Sequence, residues 1–239
     1  MTAQRSLTST EESQVEVLLG FYRSKNALLG ASMGFVRGLL LADPLVPYVH
    51  SIRARIKTES SMKSKLTRKL LSIANEGKAF DITAANFFER VTDAIGARLL
   101  HLSFAELEQI HPKLLELFEA GSVDLLEPPK AYTWDPAYRS RFESLGIETQ
   151  ENPRYYTSVH YVIAGNAQRT WSAEIQVRTL AEELWGEVDH KFNYPEPHVN
   201  EACRDQIAVL AAQVSAVSRL VDSIYRSASG HHVHEHEQG

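Results

Sequence analysis

Apolar residues recur at helical spacing in five stretches of the chain and predict amphipathic helices there. These stretches are 15–41, Glu59–Asn75, Phe104–Ala120, 180–191 and 200–227. The first one follows TSTEE at 8–12, where a hydroxyl residue precedes a glutamate by three positions, as in a capping box. Pro44 and Pro47 end it.

Other stretches have the β-branched or continuously apolar pattern of strands. They are 95–100, 123–126, 156–164 and 170–179, and the mixed stretch 49–57 could also be extended. Gly165-Asn166, between the last two runs, predicts a hairpin turn. The segment 127–153 holds four prolines and several aromatic residues, and we expect it to be irregular.

The order of these elements predicts an α/β (α+β) fold, with a mixed sheet of four to five strands flanked by helices. We divide the chain into an N-terminal helical region at 1–48, a central domain at 49–195, a C-terminal helix at 196–228 and a disordered His-rich tail at 229–239. The terminal helices could pack together or form the interface of a homo-oligomer.

The composition is that of an ordinary globular protein, with 44% hydrophobic and 23% charged residues. The single cysteine, Cys203, excludes a disulfide framework and a zinc quartet of cysteines, so we expect a reducing compartment. The N-terminus has no apolar core of a secretory signal, and the apolar stretch 27–48 is broken by Arg37 and Asp43. We therefore expect a cytoplasmic protein that does not enter the membrane.

A basic segment stands out in a chain of net charge −5. Residues 53–69 hold seven Lys and Arg residues and one acid, Glu59, for a local charge of +6. Lys65, Arg68 and Lys69 share one face of the predicted helix because they lie three and four residues apart. Such a face suits the polyphosphate of a nucleotide. A solvated helix face explains the run equally well.

Two carboxylates would come together if two of the predicted strands are neighbours. Asp93 lies just before the run 95–100, and Glu174 lies within 170–179. Magnesium binds a couple of carboxylates together with phosphate oxygens and water, so this pair predicts a Mg²⁺ site. In the simpler alternative, Asp93 caps a turn and Glu174 pairs with Arg178 along its strand, and the residues alone favour that alternative.

The sequence YTSVH at 156–160 places three polar side chains on one face of a strand. Alternation puts Tyr156, Ser158 and His160 together. An aromatic ring beside a hydroxyl and an imidazole suits a base-stacking site next to a phosphate. A tyrosine in a half-buried strand is more often only packed against its neighbours.

Taken together, these segments resemble the synthetase domain of the RelA/SpoT family, which makes the alarmones ppGpp and pppGpp. RIKTESSMKSKLTRK at 55–69 resembles the family's ATP-binding stretch, and TDAIGARLL at 92–100 its metal-binding strand. YYTSVH at 155–160 resembles the acceptor-binding segment. EIQVRT at 174–179, with WGEVDHKFNY at 185–194, is similar to the small single-domain members.

The resemblance implies a nucleotidyltransferase-like fold and transfer of pyrophosphate from ATP to the ribose 3′-hydroxyl of GDP or GTP, with release of AMP. Asp93 and Glu174 would act in catalysis and bind Mg²⁺, and Glu174 could also take the hydroxyl proton. The implied ATP-phosphate ligands are Arg55, Lys57, Lys65 and Arg68. The implied acceptor-binding residues are Tyr156, His160, Gln176, Arg178 and Glu183.

The chain departs from the family pattern in features that bear on the acceptor. We expect no hydrolase domain and no regulatory region beside the synthetase domain, 49–195. The segment 127–153 is longer than expected, and Glu183 stands where small synthetases more often carry Asn or Asp near the guanine. A carboxylate at Glu183 can accept from guanine N1–H and N2–H₂. An adenine nucleotide or the 3′ end of a tRNA stays open as an alternative acceptor.

Two alternatives to an enzyme of this kind are weaker. A catalytically inactive, nucleotide-binding sensor would be expected to lack at least one of Asp93, Glu174 and Tyr156, and all three are present. Zinc or nickel binding by the tail histidines His231, His232, His234 and His236 is less expected than a solvated tail.

Overall fold

The structure is a computed structural model that describes residues 6–121, 123–165, 169–193 and 199–236, with side chains up to residue 228. The helices are α1 Ser9–Ser24, α2 Asn26–Leu40, α3 Glu59–Asn75, α4 Phe87–Arg90, α5 Phe104–Ala120, α6 Pro136–Ser144, α7 Leu180–Asn193 and α8 Glu201–His236. The strands are β1 Ser51–Ile56, β2 Ile95–His101, β3 Val123–Leu125, β4 Lys130–Thr133, β5 Glu148–Glu151, β6 Ser158–Gly165 and β7 Ser172–Thr179.

The strands form one mixed sheet in the order β1-β2-β7-β6-β4-β5, and β3 pairs with β6. The pairs β2–β7 and β4–β5 are parallel, whereas the other pairs are antiparallel. The α/β (α+β) fold is therefore confirmed. The described part of the sheet has seven strands, so the expected four to five was too few.

Strand alternation gives the sheet one apolar face and one polar face. On β2 and β7 the apolar face carries Ile95, Ala97, Leu99, Ile175 and Val177, which are all buried. They join one core with residues of the helices α1, α2, α3, α4 and α5. The opposite face is left for polar side chains, and α7 lies against it.

The helices begin where their sequences provide N-caps. Thr8 and Glu11 form the predicted capping box of α1, and Ser103 and Glu106 form another at α5. Thr58 accepts a hydrogen bond from the Ser61 backbone N–H at the start of α3. The predicted bounds of α3 and α5 are confirmed, and the apolar stretch 15–41 is divided into α1 and α2.

The segment 127–153 was expected to be irregular, and this prediction was wrong. It contains β4, α6 and β5. Asp135 caps α6 through the Ala137 N–H, and Pro136 occupies the first helical turn, where a missing N–H costs nothing. Here proline marks the start of a helix between two short strands that pair in parallel.

The last helix extends further than expected. Its backbone is helical to His236, whereas a disordered tail was expected from residue 229. Residues 223–229 contain no proline and only helix-compatible side chains, and nothing in that sequence ends the helix before Gly230. The side chains of the tail histidines and residues 237–239 lie outside the described residues, as do 166–168 of the predicted hairpin turn.

The described part of α8 is apolar on two sides. Ile207, Ala211 and Val214 are buried in a second cluster with Trp185 of α7. By length and composition alone, the stretch Glu201–Ala228 could also cross a membrane, and one third of its most apolar window is buried within the protein. Its outer side exposes the apolar residues Val209, Val217, Leu220 and Ile224.

Candidate active site

A row of polar residues crosses the open face of the sheet. Strand pairing places Arg53 of β1 opposite Arg98 of β2, and Arg98 opposite Gln176 of β7. The row continues from Gln176 to His160 of β6 and from His160 to Lys130 of β4. Paired residues project from the same side of a sheet, so five strands place cationic or hydrogen-bonding side chains along one line.

A cleft of about 380 Å³ lies over the β1–β2–β7 part of this row. Arg53, Arg55 and Arg98 line it from the sheet, and Glu187 and His190 line it from α7. Gly96 forms part of its floor, where an added Cβ would meet no atom within 4 Å. Three arginines around an open floor make this cleft suited to a polyphosphate or an adenine ring.

Asp93 forms ion pairs with lysines at one end of the open face of the sheet. Its two carboxylate oxygens lie 3.0 Å from Lys57 Nζ and 2.6 Å from Lys65 Nζ. Burial raises the pKa of Asp93, but the charges of Lys65 and Lys57 outweigh it and hold the pKa below its usual value. Lys69 lies close by, and burial and the Lys65 charge lower its pKa.

Glu174 lies at the same end of the sheet as Asp93. Strands β2 and β7 are neighbours and parallel, as the predicted carboxylate pair requires, with Glu174 opposite Gly96 and Asp93 two residues before β2 begins. The Gln176 side-chain amide donates to Glu174 Oε1 at 2.7 Å, and His160 Nδ1 lies 3.5 Å from the same oxygen. The alternative ion pair between Glu174 and Arg178 is wrong, because Arg178 pairs with Glu183.

The donor set at Asp93 and Glu174 fits a magnesium ion. Two carboxylates offer hard oxygen ligands, and the described residues hold no cluster of three or more His, Cys, Asp or Glu side chains that could form a complete protein cage. Magnesium is typically bound in this incomplete way, with substrate phosphates and water as further ligands. The lysines on Asp93 would then be free to turn toward those phosphates.

Tyr156 and His160 lie on the same face, as predicted from alternation. The Tyr156 hydroxyl is 2.9 Å from His160 Nε2, and the Tyr132 ring centroid is 4.7 Å from that of His160. Burial lowers the pKa of His160, and the Glu174 charge opposes this effect. His160 is therefore held between the Tyr156 hydroxyl and Glu174.

Glu183 joins α7 to the sheet through arginines. One carboxylate oxygen binds Arg178, and the other lies 2.9 Å from Arg98 and 3.6 Å from Arg53. Glu183 and Arg178 are each only 4% exposed, so this is a buried ion pair. Gly186 allows the contact, because a Cβ there would lie 2.7 Å from Arg178 Nη1.

The structure gathers most of the predicted site residues on one face, with two differences. Arg55, Lys57, Lys65, Asp93, His160, Glu174, Gln176 and Arg178 all lie on or beside the open face. Arg68, in contrast, lies on the exposed side of α3. Glu183, predicted to face the acceptor base, has its oxygens on arginines. The assigned roles of all these residues stay predictions.

Sequence reasoning missed Arg98 and Arg53 as cleft residues. Arg98 lies within the run 95–100, which was predicted only as a strand, and Arg53 lies in the basic segment 53–69. The signal was alternation: Gly96 and Arg98 are two apart on β2, as are Glu174 and Gln176 on β7. Glu187 was missed because helix α7 has two polar faces and the sequence does not show which one meets the sheet.

Comparison with known proteins adds a family assignment. The region found in RelA and SpoT proteins matches residues 54–199. No curated protein sequence gives a significant match.

Solved structures of small alarmone synthetases share the fold. Small alarmone synthetase 1 from Bacillus subtilis bound to pppGpp is 17% identical, with a TM-score of 0.56, covering 91% of this chain and 99% of that chain. Small alarmone synthetase 2 from the same organism is 17% identical, with a TM-score of 0.54 and coverage of 87% and 96%. A GTP pyrophosphokinase family protein from Streptococcus pneumoniae is 17% identical, with a TM-score of 0.54 and coverage of 93% and 96%.

The matched region contains Lys57, Lys65, Asp93, His160 and Glu174, which the fold brings to one face of the sheet. It extends over more than half of the chain. The chain therefore belongs to the RelA/SpoT family.

Proposed function

We propose that this protein transfers pyrophosphate from ATP to the ribose 3′-hydroxyl of GDP or GTP, makes ppGpp or pppGpp, and releases AMP. The observation that carries the proposal is Asp93 held by Lys57 and Lys65 at the end of the sheet where Glu174 lies. Carboxylates for a metal and cations for phosphates are the two components that phosphoryl transfer needs.

The ATP site in this proposal is the arginine-lined cleft together with the lysines on Asp93. Lys57 and Lys65 have side chains that are less than one fifth exposed, and they would exchange part of their contact with Asp93 for phosphate oxygens. Arg55 and Arg98 line the cleft and would bind phosphates bidentately or stack on the adenine. Positioning and charge neutralisation would supply most of the catalysis.

Asp93 and Glu174 would hold the magnesium ion that the family implies. A bound Mg²⁺ neutralises charge on the transferred group and orients its oxygens. Their own contacts prepare both side chains for this role: lysines keep Asp93 ionised, and Gln176 and His160 hold Glu174 in place.

The chemical step is a displacement at the β-phosphorus of ATP. The acceptor's O3′–phosphorus bond forms, and the bond between the β-phosphorus and the bridging oxygen of the α-phosphate breaks, so that its electron pair leaves with AMP. The hydroxyl proton goes to Glu174, which His160 and Gln176 fix in place.

Structures with the same fold support this choice of substrates. One small alarmone synthetase 1 structure from Bacillus subtilis is described as bound to its product pppGpp, and another as bound to AMPCPP. AMPCPP is an ATP analogue, so that protein binds a product and a donor analogue of the proposed reaction.

We also place the protein in the cytoplasm, as a homo-oligomer whose interface includes the outer side of α8. The four apolar residues exposed there would be covered by a second copy. Sedimentation of the purified protein tests this assembly, and a monomer at micromolar concentration would contradict it.

The experiment that tests the proposed function follows label from the donor. The protein is incubated with γ-labelled ATP, Mg²⁺ and, in separate reactions, GDP, GTP, ADP, ATP or deacylated tRNA. We expect label in a product of GDP or GTP and an equal amount of AMP. The control is Asp93→Asn, which should fold and lack transfer.

Each other outcome has a defined meaning. Transfer to ADP, ATP or tRNA alone would keep the chemistry and replace the acceptor. No transfer to any acceptor, with nucleotide binding retained, would contradict the enzyme and favour a nucleotide sensor.

A further inference from the structure

The junction between β1 and α3 carries one of the two lysines that bind Asp93. Lys57 follows the last residue of β1, and Thr58 is the N-cap of α3. The Lys57 backbone N–H donates to the Ala94 carbonyl oxygen at 3.0 Å, and Lys57 Nζ lies 3.0 Å from Asp93 Oδ2. Two of the three polar groups of Lys57 therefore contact two consecutive residues at the start of β2.

The third group, the carbonyl oxygen of Lys57, accepts a hydrogen bond from the N-terminal helix α1. The Tyr22 hydroxyl donates to this oxygen at 2.6 Å. Tyr22 is only 2% exposed, and its ring stacks on Phe87 of α4 with 6.0 Å between the ring centroids. Apolar packing thus fixes the ring, and the ring holds its hydroxyl against the β1–α3 junction.

The Tyr22 hydroxyl keeps its proton at neutral pH and therefore remains a donor. Burial, together with the charge of Asp93, raises the pKa of Tyr22 to about 12. Without this hydroxyl, the Lys57 carbonyl would lose its donor in a buried place, which costs more than the loss of an exposed hydrogen bond.

The ion pairs between α1 and α3 contribute less to this arrangement. Arg23 lies 2.8 Å from Glu59, and Lys63 lies 2.6 Å from Glu16, with all four side chains about half exposed. Exposed ion pairs are weak and do not fix a geometry. Of these three contacts, the Tyr22 hydrogen bond is the one that is buried and reaches the junction itself.

We propose that Tyr22 is a positioning residue of the donor site, which fixes the main chain of Lys57 while the Lys57 ammonium exchanges Asp93 for an ATP phosphate. The proposal rests on the proposed function, in which Lys57 binds ATP. A side chain that changes partners keeps its aim only if its backbone stays in place. Helix α1 lies outside the matched region 54–199, so the N-terminal helices would contribute to the donor site as well as to the core.

Tyr22→Phe tests this role, because it keeps the buried ring and removes only the hydroxyl. We expect the KM for ATP to rise about fivefold, the factor that corresponds to one ordinary hydrogen bond. The KM for GDP should stay within about twofold of wild type, because Tyr22 contacts the junction that carries the donor lysine. Equal increases for the two substrates would mean a general loosening of the protein and would overturn the proposal.

Tyr161→Phe is the matched control, since it also deletes a buried tyrosine hydroxyl from the core. Tyr161 is 0% exposed, and its hydroxyl is 2.8 Å from His111 Nδ1 of α5. Both variants should lower the melting temperature by about 2–4 °C. Tyr161→Phe should retain the wild-type KM for ATP, and an increase as large as that of Tyr22→Phe would reduce Tyr22 to a structural role.

A double-mutant cycle tests whether Tyr22 acts through Lys57. Lys57→Met keeps the stem of the side chain, removes the ammonium and should raise the KM for ATP. In the double variant, Tyr22→Phe should add no further increase, because no ammonium is left to position. If the two increases multiplied, Tyr22 would act by another route and the positioning of Lys57 would be wrong.

Direct binding separates this proposal from the proposed function. Calorimetric titration with the ATP analogue AMPCPP measures the donor site without turnover. If the wild type binds AMPCPP and transfers nothing to any acceptor, the proposed function fails, and weaker AMPCPP binding in Tyr22→Phe still supports the positioning role. If the wild type transfers normally and Tyr22→Phe binds AMPCPP with the same affinity, the positioning role fails and the proposed function stands.

Discussion

The two faces of strands β2 and β7 are built from alternate residues of the same short sequences, yet one face is apolar and buried and the other is polar. One face carries Ile95, Ala97 and Leu99 with Ile175 and Val177, all at most 1% exposed. The other face carries Gly96, Arg98, Glu174, Gln176 and Arg178, and it faces the cleft and α7. Residues that are adjacent in sequence therefore differ completely in environment.

The comparison shows how the fold separates stability from chemistry. The core face is apolar and close-packed, so a change there alters the free energy of unfolding. On the open face, charged groups are held by a few specific contacts, such as the ion pairs that Lys57 and Lys65 form with Asp93. A change there is expected to alter turnover with little effect on unfolding, and adjacent residues provide matched pairs for testing this separation.

The largest effect on turnover is expected from Glu174→Gln. Gln keeps the shape of the side chain but removes the charge that would bind the metal and accept the proton, so kcat should fall by about 10³-fold or more. The melting temperature should stay within a few degrees of wild type, because Glu174 is partly exposed and contributes little packing. Steady-state kinetics and calorimetry of the same preparation measure both. Retained turnover would sink the assignment of Glu174.

The adjacent residue gives the opposite result if the two faces are separate. Ile175→Ala removes a fully buried side chain from the core face and should cost about 2–5 kcal/mol of the free energy of unfolding. At a temperature where the variant is folded, its KM for ATP should match that of wild type. Denaturant unfolding measures the first quantity and transfer kinetics the second; a strongly raised KM would mean that the core face also sets the shape of the cleft.

The sequence predicted the two faces of the sheet only in part. Alternation in YTSVH at 156–160 is short-range information, so it correctly placed His160 on the same face as Tyr156. Whether the carboxylates of Asp93 and Glu174 come together depends on which strands are neighbours. The periodicity of the sequence does not indicate that. The sequence left open whether 95–100 and 170–179 are neighbours, and the β2–β7 ladder shows that they are.

Other features could not be predicted from the sequence for definite physical reasons. The prolines of 127–153 predict breaks, because a proline in a loop and Pro136 at the first turn of a helix give the same local pattern. The cap that Asp135 forms on that helix distinguishes the two. The partners of Glu183 come from β2 and β7, as well as from the edge strand β1. A side chain whose contacts are all distant in sequence has no local signature.

The buried first turn of α7 gives a pH-dependent test. Glu182 is 4% exposed, and burial raises its pKa to about 8, against the opposing charge of Arg178. Because the folded state holds this proton at a pH where the unfolded state has lost it, wild-type stability should fall as the pH rises from 5 to 8. Each pH unit can change the free energy of unfolding by about 1.4 kcal/mol for one proton, so the loss between pH 5 and 8 is at most about 4 kcal/mol.

Glu182→Gln removes this dependence on pH. The variant should match wild type near pH 5 and exceed its stability at pH 8, as measured by denaturant unfolding at both values. Glu187→Gln is the matched control on the side of α7 that lines the cleft, where a hydrogen bond from Arg98 lowers the pKa of Glu187. It should bring no gain in stability at pH 8. A parallel response of the two variants would mean that burial does not distinguish the two carboxyl groups.

The smallest expected change is also the cleanest separation of the two faces. In Gly96→Ala the added methyl group meets no atom within 4 Å, and alanine restricts the unfolded chain, so stability should be unchanged or higher by less than about 1 kcal/mol. The methyl group stands on the cleft floor between Arg55 and Glu174, its strand partners, and should raise the KM for ATP severalfold. Ala97→Gly is the reciprocal change on the core face: it removes a buried methyl group and should lower stability by about 1 kcal/mol while leaving the KM for ATP unchanged. If each variant changed both the KM for ATP and the free energy of unfolding, the strand would transmit changes from one face to the other, and the two faces would not be separate.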